Sequence, residues 1–226
     1  MIEAKAPTPV VRRVYDLWSR WYGWVIEPLE RRYRRLALAR AAIRPHDRVL
    51  EVAVGAGSAL LEILERVDRS EAVYGVDLSP RMLATAKRRA QRAGYTNLCL
   101  LEAEARALPF PADTFDLLFS SYMLDLIGLD EMPVVLGEFR RVLRPGGRLV
   151  LVSMSKERGE QGTLWERIYR RLPARWGPYV TGGCRPVLLE QPVRRAGFSE
   201  VRREFVRGTL SSEIVTAMKP ARRAET

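Results

Sequence analysis

The chain is poor in the residues that build metal centres and covalent cross-links: its 226 residues include one histidine and two cysteines. Cys99 lies in an apolar run and Cys184 in a glycine-rich loop, so the pair offers neither a disulfide framework nor metal-ligand spacing. A reduced compartment fits, and no structural zinc or other metal site is expected. Also missing is any run approaching the roughly 18 apolar residues of a membrane span, and residues 1–10 lack the apolar core of a signal peptide. The expectation is a soluble, cytoplasmic protein. No repeat, low-complexity tract or Gly/Ser-rich linker divides the chain. With 47% hydrophobic residues, it is long enough for one well-buried domain with some decoration, and short for two.

Lysine is scarce as well, 4 against 34 arginines, and the net charge of +11 is unevenly placed. Residues 1–50 carry +6, residues 51–152 carry −2, and residues 153–226 carry +7. An anionic partner, whether nucleic acid or a membrane surface, would therefore meet the flanks and not the centre.

The centre alternates apolar runs with helical periodicity. Strands are predicted over 48–54, 72–77, 97–102, 115–120 and 148–153, with helices over 58–67, 80–93 and 131–143 between them. This is the βαβ rhythm of a parallel sheet. Ser79-Pro80 supplies an N-cap followed by a first-turn proline. A helix over 186–196 and strands over 200–207 and 211–218, turning near Gly208, predict a terminal antiparallel hairpin. Ahead of the core, Val11, Val14, Tyr15, Trp18, Trp21, Tyr22, Val25, Leu29, Tyr33 and Leu36 recur at steps of three or four, an amphipathic helical region expected to break at Gly23 and Pro28.

Chemistry concentrates at the strand ends. Glu51-Val52-Ala53-Val54-Gly55-Ala56-Gly57 ends a strand, turns through two glycines and opens a helix, so backbone can approach a ligand and helix N–H groups face it. The dinucleotide fingerprint wants a third glycine where Leu60 stands, which counts against NAD or FAD. Tyr74-Gly75-Val76-Asp77-Leu78-Ser79-Pro80 places a carboxylate at the end of the second strand. Glu104-Ala105-Arg106-Ala107-Leu108-Pro109-Phe110 follows the third, and Asp113-Thr114-Phe115-Asp116 leads into the fourth. Leu143-Arg144-Pro145-Gly146-Gly147 turns toward the fifth.

In this order the segments resemble the motifs of class I S-adenosylmethionine-dependent methyltransferases, closely over 44–154 and more loosely to the terminal hairpin. The resemblance implies an α/β, Rossmann-like doubly wound seven-stranded sheet, mostly parallel with a C-terminal antiparallel hairpin. It implies an N-terminal helical lid over 1–43, a methyltransferase domain over 44–220 with a lid insertion at about 155–185, and a tail over 221–226. It also implies S-adenosylmethionine as cofactor, held by Glu51, Ala53, Gly55, Gly57, Asp77, Leu78, Met82, Glu104, Ala105 and Ser120. Glu51 faces the ammonium end, directly or through water. Asp77 accepts both ribose hydroxyls, a charge-assisted bidentate contact, or else serves as a charge at a helix N-terminus. Glu104, where the family usually has aspartate, accepts from the adenine amino group, and the Ala105 N–H meets a ring nitrogen. Leu78 and Met82 flank the adenine or else pack the core.

A sulfonium methyl donor is intrinsically reactive, so the protein's main task is to align acceptor and methyl and to exclude water. His46 sits in the turn before the first strand, away from the strand ends where ligands bind, and reads as a surface residue. Tyr122 and Asp125, after the fourth strand, are the catalytic candidates, with packing and capping as their alternative roles. Ser120-Ser121-Tyr122 stands where enzymes that methylate amino groups of DNA and RNA carry Asn or Asp before Pro-Pro, and no Pro-Cys pair occurs. A nucleic-acid acceptor is disfavoured on that ground, and only the basic flanks keep it as an alternative.

Both flanks mix arginine with large aromatics: Trp18, Trp21, Tyr22 and Trp24 in the first, Trp165, Tyr169, Trp176 and Tyr179 in the second. This composition suits a membrane interface or, equally, packing of a lid onto the core. Tyr15-x-x-Trp18-x-x-x-Tyr22 is similar to the opening of quinone-biosynthesis C-methyltransferases and bacterial phosphatidylethanolamine N-methyltransferases. The expected function is methyl transfer to a small hydrophobic or lipid-like acceptor, a phospholipid amine or quinone precursor, with the protein peripheral on an anionic membrane surface. A cofactor-binding protein without turnover is the remaining class.

Overall fold

The computed structural model describes residues 13, 16, 17, 27–156, 171 and 184–221. In chain order the elements are α1 (Glu27–Arg40), β1 (Val49–Val52), α2 (Ser58–Leu64), β2 (Val73–Asp77), α3 (Pro80–Arg92) and β3 (Leu98–Glu102). There follow β4 (Phe115–Ser121), α4 (Met132–Val142), β5 (Leu143–Met154), α5 (Glu190–Arg195), β6 (Ser199–Val206) and β7 (Ser212–Met218). The strands form one sheet in the order β3-β2-β1-β4-β5-β7-β6. β1 to β5 run parallel, and β7 enters antiparallel between β5 and β6.

The central strands read as unbroken apolar runs because helices cover both faces of a parallel sheet. Every residue of β1 is buried, and β4 is buried along all but its last residue. Alternate residues feed two cores, as the period of a strand requires. On one face Tyr33, Ala37 and Leu38 of α1, Leu60 and Ile63 of α2, and Ala86 of α3 close over Val49, Leu117, Phe119 and Val150. On the other, Leu136 and Phe139 of α4 and Val193 of α5 close over Leu50, Leu118, Leu149 and Leu151. The order runs outward from β1 to β3 on one side and from β4 to β5 on the other. That reversal opens a crevice at the C-terminal ends of β1 and β4.

Helix α3 begins where Ser79-Pro80 predicts, with Ser79 Oγ accepting from Met82 N at 3.1 Å. Three details differ from expectation. β5 starts at Leu143, not near 148, because Phe115 pairs with Leu143 across a register shift that draws the Pro-Gly-Gly turn into the strand. The helix expected over 186–196 shortens to Glu190–Arg195, since Val187 bridges Ser155 and its N–H goes to Met154 O at 3.0 Å. Pro28 lies in the first turn of α1, where the absence of an N–H is harmless. From Glu27 onward the expected N-terminal lid is part of the core, with Tyr33, Ala37, Leu38 and Ala41 buried. The eight flanking aromatics named above, and most of both expected lid segments, lie outside the described residues.

Candidate active site

Past Val52 the chain turns through three residues with positive φ, Ala53 (62°), Gly55 (54°) and Gly57 (86°). Ala53 N and Val54 N both donate to Val76 O, at 2.8 and 3.1 Å, which hooks the turn onto β2. Gly57 is needed twice over: for its left-handed φ, and because a Cβ there would lie 2.8 Å from Ala86 Cβ on α3. A Cβ on Gly55 would meet nothing within 4 Å, so the backbone there faces open space.

Asp77, at the end of β2, grips the same turn. Its Oδ2 accepts from Gly55 N and its Oδ1 from Ser79 N, both at 2.8 Å. Withdrawal from water pushes its pKa up to about 6, against the N–H donors of Ser79, Gly55 and Leu78, with the nearby Asp16 carboxylate adding to the rise. Asp16 also takes a hydrogen bond from the Ser79 hydroxyl, which brings a second carboxylate to this corner. Glu51 is 1% exposed, and its Oε2 has no hydrogen-bond partner among the described residues. Burial drives its pKa well above the ordinary carboxylate range, opposed by the Arg34 guanidinium and reinforced by Asp77. A buried carboxylate oxygen without a partner is costly, and a cationic ligand group would satisfy it.

Between the ends of β1, β2 and β3 and the loop after β4 lies a half-enclosed cleft of about 80 Å³, walled by Val52, Ala53, Leu78, Ala105, Met123 and Ile127. Glu104, Arg106 and Glu131 also line it. Arg106 bonds Glu104 Oε2 through Nε (3.1 Å) and Nη2 (2.6 Å) and pairs with Glu131 through Nη1. The carboxylate expected to await an adenine amino group is thus already engaged. The signal was present in the sequence, opposite charges two residues apart in one motif. The rest of that motif holds the loop in place: Leu108 N donates to Glu138 Oε2 at 2.8 Å, and Phe110 packs edge-on to Phe115 with 5.0 Å between ring centroids.

Of the other expected site residues, Met82 is absent from the lining of this cleft, as are Glu51, Gly55, Gly57 and Asp77. Met82 is fully buried in the first turn of α3. Ser120 is buried too, its Oγ donating to Val52 O at 2.9 Å and so tying β4 to β1 beneath the turn. Tyr122 has a φ of 53° and packs under α1 with Oη 3.0 Å from Ser212 Oγ; burial lifts its phenol far above the usual range. Asp125 is fully buried, with Oδ2 accepting from Met154 N at 3.3 Å, and burial pushes its pKa up to about 6. Neither is among the residues that line this cleft. What that loop presents instead is Met123, Leu126 and Ile127. His46 stands 81% exposed beside Asp68.

Sequence reasoning missed Arg89. Its Nη1 reaches Ala56 O (2.9 Å), Ser58 Oγ (3.2 Å) and Glu27 Oε1 (2.6 Å), clasping the glycine turn to α1. Nothing marks it out among 34 arginines. Among the described residues, no His, Cys, Asp and Glu group could hold a metal ion.

A family profile described as a methyltransferase domain matches residues 49–147, a span that contains the glycine turn, Asp77 and Glu104. The chain is 34% identical to a demethylmenaquinone methyltransferase of Thermus thermophilus over 74% of each chain. It is 29% identical to a 2-phytyl-1,4-naphtoquinone methyltransferase of Trichormus variabilis over 72% of each. Its fold matches that of phosphoethanolamine N-methyltransferase 2 of Haemonchus contortus, solved with S-adenosylhomocysteine, at a TM-score of 0.72 and 18% identity, covering 93% of this chain and 60% of that one. The left-handed glycine turn and the Glu51 oxygen, without a partner among the described residues, fit a cofactor of this kind. The protein is an enzyme that takes its methyl group from S-adenosylmethionine, and the chain belongs to the class I S-adenosylmethionine-dependent methyltransferases.

Proposed function

We propose that the enzyme methylates a ring carbon of a hydrophobic quinone precursor at an anionic membrane surface. The observation that carries the acceptor is the 34% identity to a demethylmenaquinone methyltransferase across 74% of both chains. One structural feature favours it. On the outer side of α1, Arg31, Arg32 and Arg35 are exposed next to Pro28 and Leu36, a cationic stripe suited to anionic lipid.

In this reading Glu51 takes the cofactor ammonium, and the backbone around Gly55 and Gly57 lies along its amino-acid arm. Asp77 takes the ribose hydroxyls, while Leu78, Ala105 and Met123 enclose the adenine. Glu104 serves the adenine amino group only while also serving Arg106. Bound there, S-adenosylmethionine would supply an electrophilic methyl group: its bond to sulfur would break with the electron pair left on the thioether, a bond to the ring carbon would form, and that carbon's proton would be released to solvent as the ring regains aromaticity. Both carboxylates lining the cleft, Glu104 and Glu131, pair with Arg106. The chain's work is therefore to orient and to exclude water, and the electron density for attack comes from the hydroxyl groups of the reduced acceptor ring. Tyr122 and Asp125 shape the loop that carries the cleft wall.

Purified enzyme incubated with methyl-labelled cofactor is offered a demethylated naphthoquinone kept reduced, and separately phosphatidylethanolamine vesicles, with products identified by mass spectrometry. Label on the quinone ring is the expected result. Label on the phospholipid alone, or on neither, overturns the acceptor. In flotation at low salt, equal partition onto anionic and neutral vesicles overturns the membrane part.

A further inference from the structure

We infer that Arg185 is a positioning residue, clamping the backbone of the loop after β4 so that its side chains form the wall of the cofactor cleft. This inference rests on the placement of the cofactor in that cleft proposed above, and not on the identity of the acceptor. Arg185 is fully buried. Its Nη1 donates to Asp125 O at 2.5 Å and its Nη2 to Ile127 O at 2.6 Å.

A buried guanidinium is expensive unless its donors and its charge are both met. Here two carbonyls two residues apart match two prongs of a rigid planar fork. The Asp125 carboxylate adds a favourable opposite charge. The loop needs such a clamp. Its own bonds are single-turn contacts, Leu126 N to Met123 O at 2.9 Å and Ile127 N to Leu124 O at 3.4 Å. Yet Met123, Leu126 and Ile127 all line the cleft.

Arg185 is in turn held from the other side. Two residues on, Val187 N donates to Met154 O at 3.0 Å, and Val187 O accepts from Ser155 Oγ at 2.6 Å. The Asp125 side chain meets the same strand end, at Met154 N. The end of β5, residues 185–187 and the loop over 123–127 thus form one braced unit, in which Arg185 is the link that touches the loop's carbonyls. Lysine would keep the charge but is a point donor on a flexible stem, unable to reproduce the fork.

The test is calorimetric titration of Arg185→Lys and Arg185→Met with S-adenosylhomocysteine, paired with hydrogen exchange resolved by segment. The expected result for either folded variant is affinity weaker by about tenfold, the scale of one charge-assisted hydrogen bond. Exchange should quicken within 122–129 while β4 and β5 keep their parental protection. A folded variant that binds within twofold of the parent and exchanges normally over 122–129 overturns the inference. Should both variants fail to fold, the unaltered enzyme decides. S-adenosylhomocysteine should slow exchange over 123–127 and over 185–187 together, and protection of the first without the second overturns the inference.

Discussion

Replacing Asp77 with asparagine separates the charge of this residue from its shape. Asp77 accepts Gly55 N–H on one oxygen and Ser79 N–H on the other, each at 2.8 Å, which leaves a second lone pair on each oxygen for a ribose hydroxyl. Asparagine keeps one oxygen and turns an amide NH₂ toward one of those two N–H donors. Asp77→Asn therefore loses one loop hydrogen bond and both charge-assisted contacts to the ribose. At about 1.5 kcal/mol for each bond to a charged group, the two ribose contacts come to roughly 3 kcal/mol, or about 150-fold in affinity for S-adenosylhomocysteine. Against the lost loop bond, about 1 kcal/mol, stands the relief of a buried charge whose pKa is raised to about 6, so above pH 7 the variant should be no less stable than the parent. Calorimetric titration reads the affinity and urea denaturation the stability. A folded Asp77→Asn or Asp77→Ala enzyme that binds within threefold of the parent, no weaker than Tyr122→Phe, would refute the site assignment. The pH dependence supplies an independent check. Ribose hydroxyls need an ionised acceptor, so affinity should hold steady above pH 7 and fall as pH drops through about 6, the pKa of Asp77 in the free enzyme. The stability contribution runs the other way. Because the folded-state pKa is raised, this group adds stability that is fully present below its unfolded pKa and is lost as pH rises through about 6. Asp77→Asn should abolish both slopes.

The two glycines of the turn should behave differently. Gly57→Ala forces a Cβ within 2.8 Å of Ala86 Cβ and should cost about 3 kcal/mol in urea denaturation, whereas Gly55→Ala, with open space around it, should cost about 1 kcal/mol yet weaken S-adenosylhomocysteine binding; equal stability losses would contradict the packing argument. Glu51→Gln neutralises a buried carboxyl whose Oε2 has no partner among the described residues, so Tm should hold or rise while affinity falls about tenfold, and a clear fall in Tm counts against this. Tyr122→Phe gives up the contact to Ser212 Oγ and should lose about 1 kcal/mol of stability with turnover within about twofold of the parent; a hundredfold loss of turnover would restore Tyr122 as a catalytic group.

Much of the fold was legible because its signals are short-range. Strand runs, the Ser79-Pro80 helix start and the Glu51–Gly57 turn all depend on neighbours a few residues apart, and each stands in the structure where it was expected. Boundaries slipped where pairing with a distant strand overrode local preference, as when Phe115 pairs with Leu143 and draws the Pro-Gly-Gly segment into β5. The cleft was half legible. Ala53, Leu78, Glu104 and Ala105 line it, because residues that follow a parallel strand must emerge at its C-terminal end. Ser120, Tyr122 and Asp125 emerge there too but bond elsewhere, to Val52 O, Ser212 Oγ and Met154 N, partners that sequence position alone does not name.

The cofactor class was readable from the chain through a family resemblance, because the order of acid, glycine turn, second-strand aspartate and third-strand motif survives in a one-dimensional reading. What each side chain does there came from long-range packing. Tyr122 is held by Ser212, 90 residues away, Asp125 by Met154, 29 residues away, and the carbonyls of Asp125 and Ile127 by Arg185, 60 and 58 residues away. The register of β5 and β7 and the return of the chain at 185–187 set those distances. Local periodicity places a residue at the rim of the sheet, but long-range pairing chooses the face it turns to and the atom it meets.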